Sequence, residues 1–244
     1  MSYEYYKIDS IFKCDPDTKM FIEGSFSIPE FEYIFDNLWV ATEKIDGTNI
    51  RVTFNKDAQL NSLDLNPSML SFDSVKSIRF GGKTDKAQIP PYLSAKLQEL
   101  FPLEKFEQFD NGMTLYGEGF GEKIQKGGGK YMPNGKGCYF ILFDVRVGNW
   151  WLKREYVEQI ADKLGIKVVP IIGVMTLREA LETIKLKDHI TSSFGNKDFP
   201  IEGFVLKPKI ELFSRNGQRI ITKIKYVDFK GKDKKRIKKG DINA

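Results

Sequence analysis

The run Thr42-Glu43-Lys44-Ile45-Asp46-Gly47-Thr48-Asn49 sets one lysine between acids in the otherwise apolar context LWVATEKIDGTN. A lysine amine that has lost its proton is a nucleophile, and burial or neighbouring cations favour that loss. On an extended strand Lys44 and Asp46 would share one face and Glu43 would take the other. Gly47 would allow a tight turn and the close approach of a ligand. The plainer reading is a strand-end surface lysine paired with acids. Cationic neighbours are available in Ile220-Ile221-Thr222-Lys223-Ile224-Lys225, where alternation sends Lys223 and Lys225 to one face and Ile224 to the other. Two lysines side by side repel unless an anion holds them, and polyphosphate is a natural candidate. The alternative is an exposed edge strand on which lysines deter aggregation.

Further charged groups stand at the ends of apolar runs. In Ile201-Glu202-Gly203-Phe204-Val205-Leu206-Lys207-Pro208, Glu202 and Lys207 are five apart, so a regular strand points them to opposite faces. Either a bulge intervenes at Gly203 or the two do different jobs. Glu118 sits on a glycine-rich turn, and Phe143-Asp144 closes an aromatic run. A phenylalanine there is core or a stacking surface for a base. Two glycine clusters are decoys. Gly81-Gly82-Lys83-Thr84 resembles the end of a phosphate-binding loop, but Ser77 stands where its first glycine belongs and Ile89-Pro90-Pro91 follows. Gly117-Glu118-Gly119-Phe120-Gly121 has the wrong spacing for a dinucleotide fingerprint and carries an acid where a pyrophosphate would lie.

Composition narrows the chemistry. The chain has 244 residues, a formal net charge of +5 and 41% hydrophobic residues, which is a globular composition with no membrane-length apolar run. The N-terminus MSYEYYKIDS is unlike a signal peptide. Cys14 and Cys138 are too few for a disulfide framework or a four-cysteine zinc site, and a reducing cytoplasm is expected, the host's if the chain is viral. His189 is the single histidine, in a polar stretch that reads as surface, so a two-histidine metal site is excluded, a histidine-based triad would have to use this one residue, and an enzyme's chemistry is expected to run on Lys, Asp, Glu and Arg. The run Lys230 to Gly240, KGKDKKRIKKG, holds seven basic residues and one acid, leaving the other residues at −1. Such a run binds polyanions in a salt-sensitive way, or is a solvated terminus.

The elements that must position these groups are mostly strands. Asn49–Phe54, Gly112–Phe120, Cys138–Val147, Lys167–Val174, Ile201–Leu206 and Arg219–Phe229 read as strands, with a hairpin excursion between Thr53 and Phe80. Glu155–Leu164 reads as an amphipathic helix with Tyr156, Val157, Ile160, Ala161 and Leu164 inward and Gly165 as its C-terminal cap. Thr176 and Glu179 form a capping box for a helix reaching about Ile184. No repeat or linker divides the chain, so one domain over 1–229 and a basic tail over 230–244 are expected, in an α+β class with antiparallel or mixed sheets flanked by helices.

Taken in order, Lys44-Ile45-Asp46-Gly47-Thr48-Asn49, Tyr116-Gly117-Glu118, Phe143-Asp144-Val145, Glu202-Gly203-Phe204-Val205-Leu206-Lys207 and Lys223-Ile224-Lys225 resemble the five motifs of the covalent nucleotidyltransferases, the superfamily of polynucleotide ligases and mRNA capping enzymes. Asparagine at the end of the first motif, where DNA ligases and capping enzymes typically have arginine, makes the chain most similar to ATP-dependent RNA ligases of the RNA ligase 2 type, many of them from phages. The resemblance implies a nucleotidyltransferase (ATP-grasp-like) fold and RNA repair by sealing a nick in a duplex or a single-stranded break. It implies ATP as AMP donor and Mg²⁺ or Mn²⁺. It makes Lys44 the nucleophile and gives Lys223 and Lys225 a grip on the α-phosphate. Glu43, Asp46 and Asn49 would bind nucleotide, Phe143 would stack on adenine, and Lys207 would lie against adenine or phosphate. Glu118, Glu202 and Asp144 would hold metal, and Glu118 and Glu202 would also contact the nucleotide. Asp46 stands where the best-known members have histidine. Lys83 stands where arginine is expected, so Arg79 or Lys83 would contact phosphate. Only 19 residues follow Lys225, which implies a minimal enzyme whose tail replaces some RNA contacts. A DNA ligase, a capping guanylyltransferase and a non-catalytic nucleic-acid-binding module are the alternatives.

Overall fold

The computed structural model describes residues 4–58, 75–186, 190–194 and 199–230. His189, most of the polar stretch between Thr53 and Phe80, and the tail beyond Lys230 lie outside the described residues. In chain order the strands are β1 (Asp9–Ser10), β2 (Phe12–Cys14), β3 (Phe21–Phe26), β4 (Trp39–Glu43), β5 (Thr48–Ala58), β6 (Val75–Gly81) and β7 (Met113–Gly121). They continue as β8 (Cys138–Val147), β9 (Trp150–Trp151), β10 (Lys167–Val168), β11 (Ile171–Met175), β12 (Gly203–Pro208) and β13 (Thr222–Lys225). The helices are α1 (Glu30–Tyr33), α2 (Pro91–Leu100), α3 (Arg154–Leu164), α4 (Leu177–Leu186) and α5 (Val227–Lys230). Most strand pairs are antiparallel, with β1–β13 and β10–β8 parallel, so the α+β class with mixed sheets holds.

The span read as one domain is built from two compact units, each discontinuous in sequence. The first comprises residues 1–6 and 46–169 and the second residues 7–45 and 170–244. The first unit carries the sheet β10-β8-β7-β5-β6. One face of that sheet sends Ile50, Val52, Phe54, Leu115, Phe140 and Leu142 into a core closed by Leu93 and Leu97 of α2 and Val157, Ala161 and Leu164 of α3. Helix α3 ends as its sequence predicts. Gly165 adopts φ 69°, and its N–H reaches the carbonyls of Ala161 and Asp162. Tyr156, read as part of the inward face, is instead exposed. The hairpin read between Thr53 and Phe80 is the antiparallel pair β5–β6.

The second unit carries the sheet β1-β13-β12-β4-β11. Its core joins Trp39, Ala41, Phe204, Leu206 and Ile224 with Leu177, Ala180, Leu181 and Ile184 of α4. The capping box is made on both sides: Thr176 N–H donates to Glu179 Oε2 at 2.7 Å and Glu179 N–H to Thr176 Oγ1 at 3.1 Å. Two strand readings are corrected. Lys167–Val174 is not one strand, because Pro170 breaks it into β10, which pairs with β8, and β11, which pairs with β4. Arg219–Phe229 is a strand only over Thr222–Lys225, since Asp228 accepts the Lys225 N–H and α5 begins at Val227. Among the described residues, no helix is long and apolar enough to cross a membrane.

Candidate active site

In the second unit, strand register gathers the lysines. Val205 of β12 stands opposite Thr42 of β4 on one side and Lys223 of β13 on the other. The three side chains therefore share a face. Lys225 follows two residues on, and Lys207 is paired with Val40 on the same face. The strand ladder continues one residue past β4, where the Lys44 N–H donates to the Gly203 carbonyl at 2.9 Å. Alternation puts Lys44 on the face of Thr42. The opposite face carries Ala41, Glu43, Phe204, Leu206 and Ile224, all buried. Lys44, Lys207, Lys223 and Lys225 thus line the half-open side of one sheet.

Lys44 Nζ lies 2.5 Å from Glu202 Oε2, with the two side chains 23% and 25% accessible. Glu202 precedes β12, and the register of β12 is regular, so no bulge at Gly203 is needed to explain the five-residue spacing to Lys207. Lys225 Nζ lies 3.5 Å from Asp228 Oδ1, a buried acid that sequence reasoning missed. Its signal would have been the acid three residues after the last lysine, the spacing of a helix start.

Glu43 is the best-buried acid among the described residues, at 1% exposure, on the face away from Lys44. Its carboxylate accepts the Ser192 hydroxyl at 2.5 Å and the Ser193 N–H at 3.3 Å. Burial pushes its pKa up, and the serine hydrogen bonds only partly counter this. A raised carboxyl contributes stability below its ordinary value near 4.5, and that stability is lost as pH rises through the raised value. Glu43→Gln removes this dependence. The melting temperature of the variant minus that of wild type should therefore widen as pH rises from about 4.5 towards neutrality. Parallel melting curves across that range would refute it.

In the first unit, the face of the sheet opposite its core carries a second group. Asn49, Glu118 and Ile141 form one row across β5, β7 and β8, and Arg51, Tyr116 and Asp144 form the next. Arg79 on β6 pairs with Thr53 one row further along, and Arg79 and Lys83 are both exposed. Asn49 Oδ1 is buried and has no hydrogen-bond partner among the described residues. Such an orphaned acceptor suits a ligand hydroxyl. Phe143 lies where the β7–β8 register shifts, between Asp144 opposite Tyr116 and Leu142 opposite Gly117. The strand runs on to Val147, the end its sequence predicts. Asp144 is 2% exposed, and its Oδ2 accepts the Tyr5 hydroxyl at 2.7 Å. The Tyr5 ring also meets Phe143, centroid to centroid at 5.2 Å.

Asp46 falls outside β4, so the shared-strand argument linking it to Lys44 does not apply. Its Oδ2 accepts the Gly127 N–H at 3.1 Å, and its own N–H donates to the Tyr131 hydroxyl at 3.1 Å.

Arg51, missed from sequence, is buried on the row next to Asn49. Its Nε donates to the Gly82 carbonyl at 2.7 Å and its Nη2 pairs with Asp85 at 2.7 Å. Its signal was a charge at the polar-face position of an otherwise apolar alternating strand. Arg51 also explains one glycine decoy, since a Cβ at Gly81 would come within 2.9 Å of the guanidinium. The other lies inside β7, where Gly117 and Gly119 leave room for Phe140 and Leu93 rather than for a phosphate.

The model of the RNA ligase family matches residues 37–227. Solved structures of Naegleria gruberi RNA ligase share the fold. A point mutant with ATP and Mn has a TM-score of 0.58 at 17% identity over 91% of this chain. A second with ATP and Mn gives 0.57 at 18% over 92%, and one with AMP and Mn gives 0.55 at 19% over 81%. This chain spans 56%, 57% and 52% of their respective lengths. No curated protein matches the chain.

Proposed function

The chain belongs to the RNA ligase family, and from that premise we propose that it is an ATP-dependent RNA ligase joining a 3′-OH to a 5′-phosphate through lysyl-AMP. The observation that carries this is the lysine face, with Lys44 held against Glu202 and Lys223 and Lys225 on the same side of the sheet. Lys44 Nζ attacks the α-phosphorus of ATP. A nitrogen–phosphorus bond forms as the bond to the β-phosphate oxygen breaks, and pyrophosphate leaves. The amine must shed its proton first, and the Glu202 carboxylate is the acceptor within reach. Lys223 and Lys225 grip the α-phosphate and offset the charge developing on its oxygens. The AMP then passes to the RNA 5′-phosphate, and attack by the 3′-OH on that phosphate releases AMP.

Asn49, Glu43, Asp46, Phe143 and Lys207 are assigned to the nucleotide from the resemblance, with Arg79 or Lys83 on phosphate. The buried, unmatched Oδ1 of Asn49 supports a ribose or base donor there. Among the described residues no three metal-ligating side chains converge. Mg²⁺ keeps several waters and takes phosphate oxygens as ligands, so a protein site for it needs only one or two carboxylates. Glu118 and Glu202 are the acids assigned to hold it or its waters. Asp144, engaged by Tyr5, is the less accessible third. When bound, the ion neutralises phosphate charge.

Incubation of the protein with Mg²⁺ and nucleotide labelled on the α-phosphate, without RNA, tests the reading. Acid-labile label from ATP that survives denaturation is expected. Label from GTP instead would make this a capping-type enzyme, and no label from a folded, non-adenylylated preparation would overturn the reading.

A further inference from the structure

The connection between β7 and β8 is long, basic and held in place. Residues Glu122 to Gly137, EKIQKGGGKYMPNGKG, carry four lysines against one acid, and all four lysines are exposed. A lysine-rich loop is commonly no more than a solvated surface. This one is folded back on itself and fastened at both sides. Its base is closed by the Glu122 N–H on the Gly137 carbonyl at 2.9 Å. Its middle turns through the Lys130, Met132 and Gly135 N–H groups, which donate to the carbonyls of Gly127, Gly129 and Met132. Its tip is fastened to Asp46 by the Gly127 N–H and the Tyr131 hydroxyl.

The glycines there permit contacts no side chain would allow. A Cβ at Gly127 would fall 2.5 Å from Asp46 Oδ2, and one at Gly128 would fall 2.7 Å from the Gly121 carbonyl oxygen. Tyr131 is buried with its ring 5.5 Å from that of Phe120. The lysines therefore stand on a fixed frame whose anchor is two residues along the chain from Lys44.

Beside the loop base lies a cavity of about 600 Å³ against α2, within the usual range for small-ligand sites of roughly 300–1,000 Å³. Tyr92, Met132 and Tyr139 give it an aromatic and apolar lining, and Lys96 and Lys123 line it too. Tyr92 is 38% exposed. Lys96 Nζ lies 6.0 Å from the Tyr139 ring centroid and 2.6 Å from Glu99, and Glu122 also lines the cavity. Two lysines and two acids leave the cavity itself without net charge. It suits a neutral, flat group, while the loop beyond it suits a chain of anions. A single RNA strand offers both, a base for the tyrosines and phosphates for the lysines.

We propose that the Asp46-anchored loop and the adjoining tyrosine cavity form a binding site for an RNA strand. Phosphates lie on Lys123, Lys126 and Lys136, and one base enters beside Tyr92 and Tyr139. The choice of RNA as occupant rests on the ligase reading, whereas the site rests on the loop and cavity. Asp46 holds the loop that carries this site.

The test uses the full chain and a 5′-phosphorylated single-stranded RNA of about twelve nucleotides, within the span of common single-strand sites. Affinity is measured against salt concentration for wild type, for Lys123→Ala/Lys126→Ala/Lys136→Ala, and for the same three positions changed to arginine. The alanine variant should bind at least about tenfold more weakly, and its log–log salt slope should flatten by about 2, close to 0.7 for each lost phosphate contact. The arginine variant should restore both. Tyr92→Leu, which removes the ring from a partly exposed side chain outside the core, should weaken binding about tenfold at an unchanged salt slope. Unaltered affinity and slope in the alanine variant would overturn the site, as would a wild type that does not bind this RNA. Lysyl-AMP formation without RNA is followed in parallel, and it should stay within about twofold in every variant. If wild type forms none, the ligase reading fails, while the binding data still decide the site.

Discussion

Lys44→Ala should accept no label from α-labelled ATP, and its strand joining from ATP should fall by about 10⁴-fold or more, as expected when a covalent nucleophile is removed. Lys44→Arg should fail equally, because a guanidinium stays protonated and does not attack phosphorus. The fold should survive both changes. Lys44 lies one residue beyond β4, its side chain is partly exposed, and the bond that fixes the chain there is the backbone N–H on the Gly203 carbonyl, which alanine retains. Glu202 loses its partner but stays accessible enough for water to replace it. A further result separates the nucleophile from the rest of the reaction. RNA already carrying AMP on its 5′-phosphate needs only attack by a 3′-OH, so Lys44→Ala should still seal it. Sealing of pre-adenylylated RNA together with failure from ATP places the defect at the lysine. Robust joining from ATP by either variant would sink the assignment of Lys44.

The lysine face was largely legible because its signals are local. Alternation in Thr222-Lys223-Ile224-Lys225 separates the two lysines from the core, and β13 shows that separation residue by residue. The same rule sent Glu43 and Lys44 to opposite sides. What alternation cannot provide is which strands are neighbours. Lys44 shares a face with Lys207 and Lys223 only because Val205 pairs with Thr42 as well as with Lys223, and the Thr42 pairing joins residues 163 positions apart along the chain. Long-range polar pairs were hidden for the same reason. Tyr5 meets Asp144 across 139 positions, and Ser192 meets Glu43 across 149. Arg51 was passed over although its position on the polar side of β5 was in plain view, because a charge there is more often solvated than buried. The division into two units carries no linker signature. The chain passes from one to the other between Tyr6 and Lys7, between Ile45 and Asp46 and between Val169 and Pro170, and only the proline marks a crossing. Asp46 and Lys44, two residues apart, fall on opposite sides of one such crossing. That is why a strand-face argument could not join them.

Gly203→Ala should lower the melting temperature by roughly 10 °C, near the upper end of overpacking penalties at about 3 kcal/mol for a unit of this size. A Cβ at Gly203 would lie 2.0 Å from the Ile224 carbonyl oxygen and 2.8 Å from Lys225 Cα. Both are backbone atoms of the neighbouring strand, so no rotamer change relieves the clash, and β12 must move away from β13. The same residue pairs with Lys225 and offers its carbonyl to the Lys44 N–H. Separation therefore shifts the nucleophile relative to the lysines that grip phosphate, and a displacement near 1 Å at a reacting centre costs about 10²-fold. Labelling at a temperature where the variant is still folded should fall by that order. Lys207→Ala is the matched control on the same strand. It trims a half-exposed side chain without touching the backbone, so its melting temperature should fall by no more than about 3 °C, well short of the loss at Gly203. A Gly203→Ala protein melting within about 2 °C of wild type, with labelling undiminished, would mean that the β12–β13 spacing is not what positions Lys44.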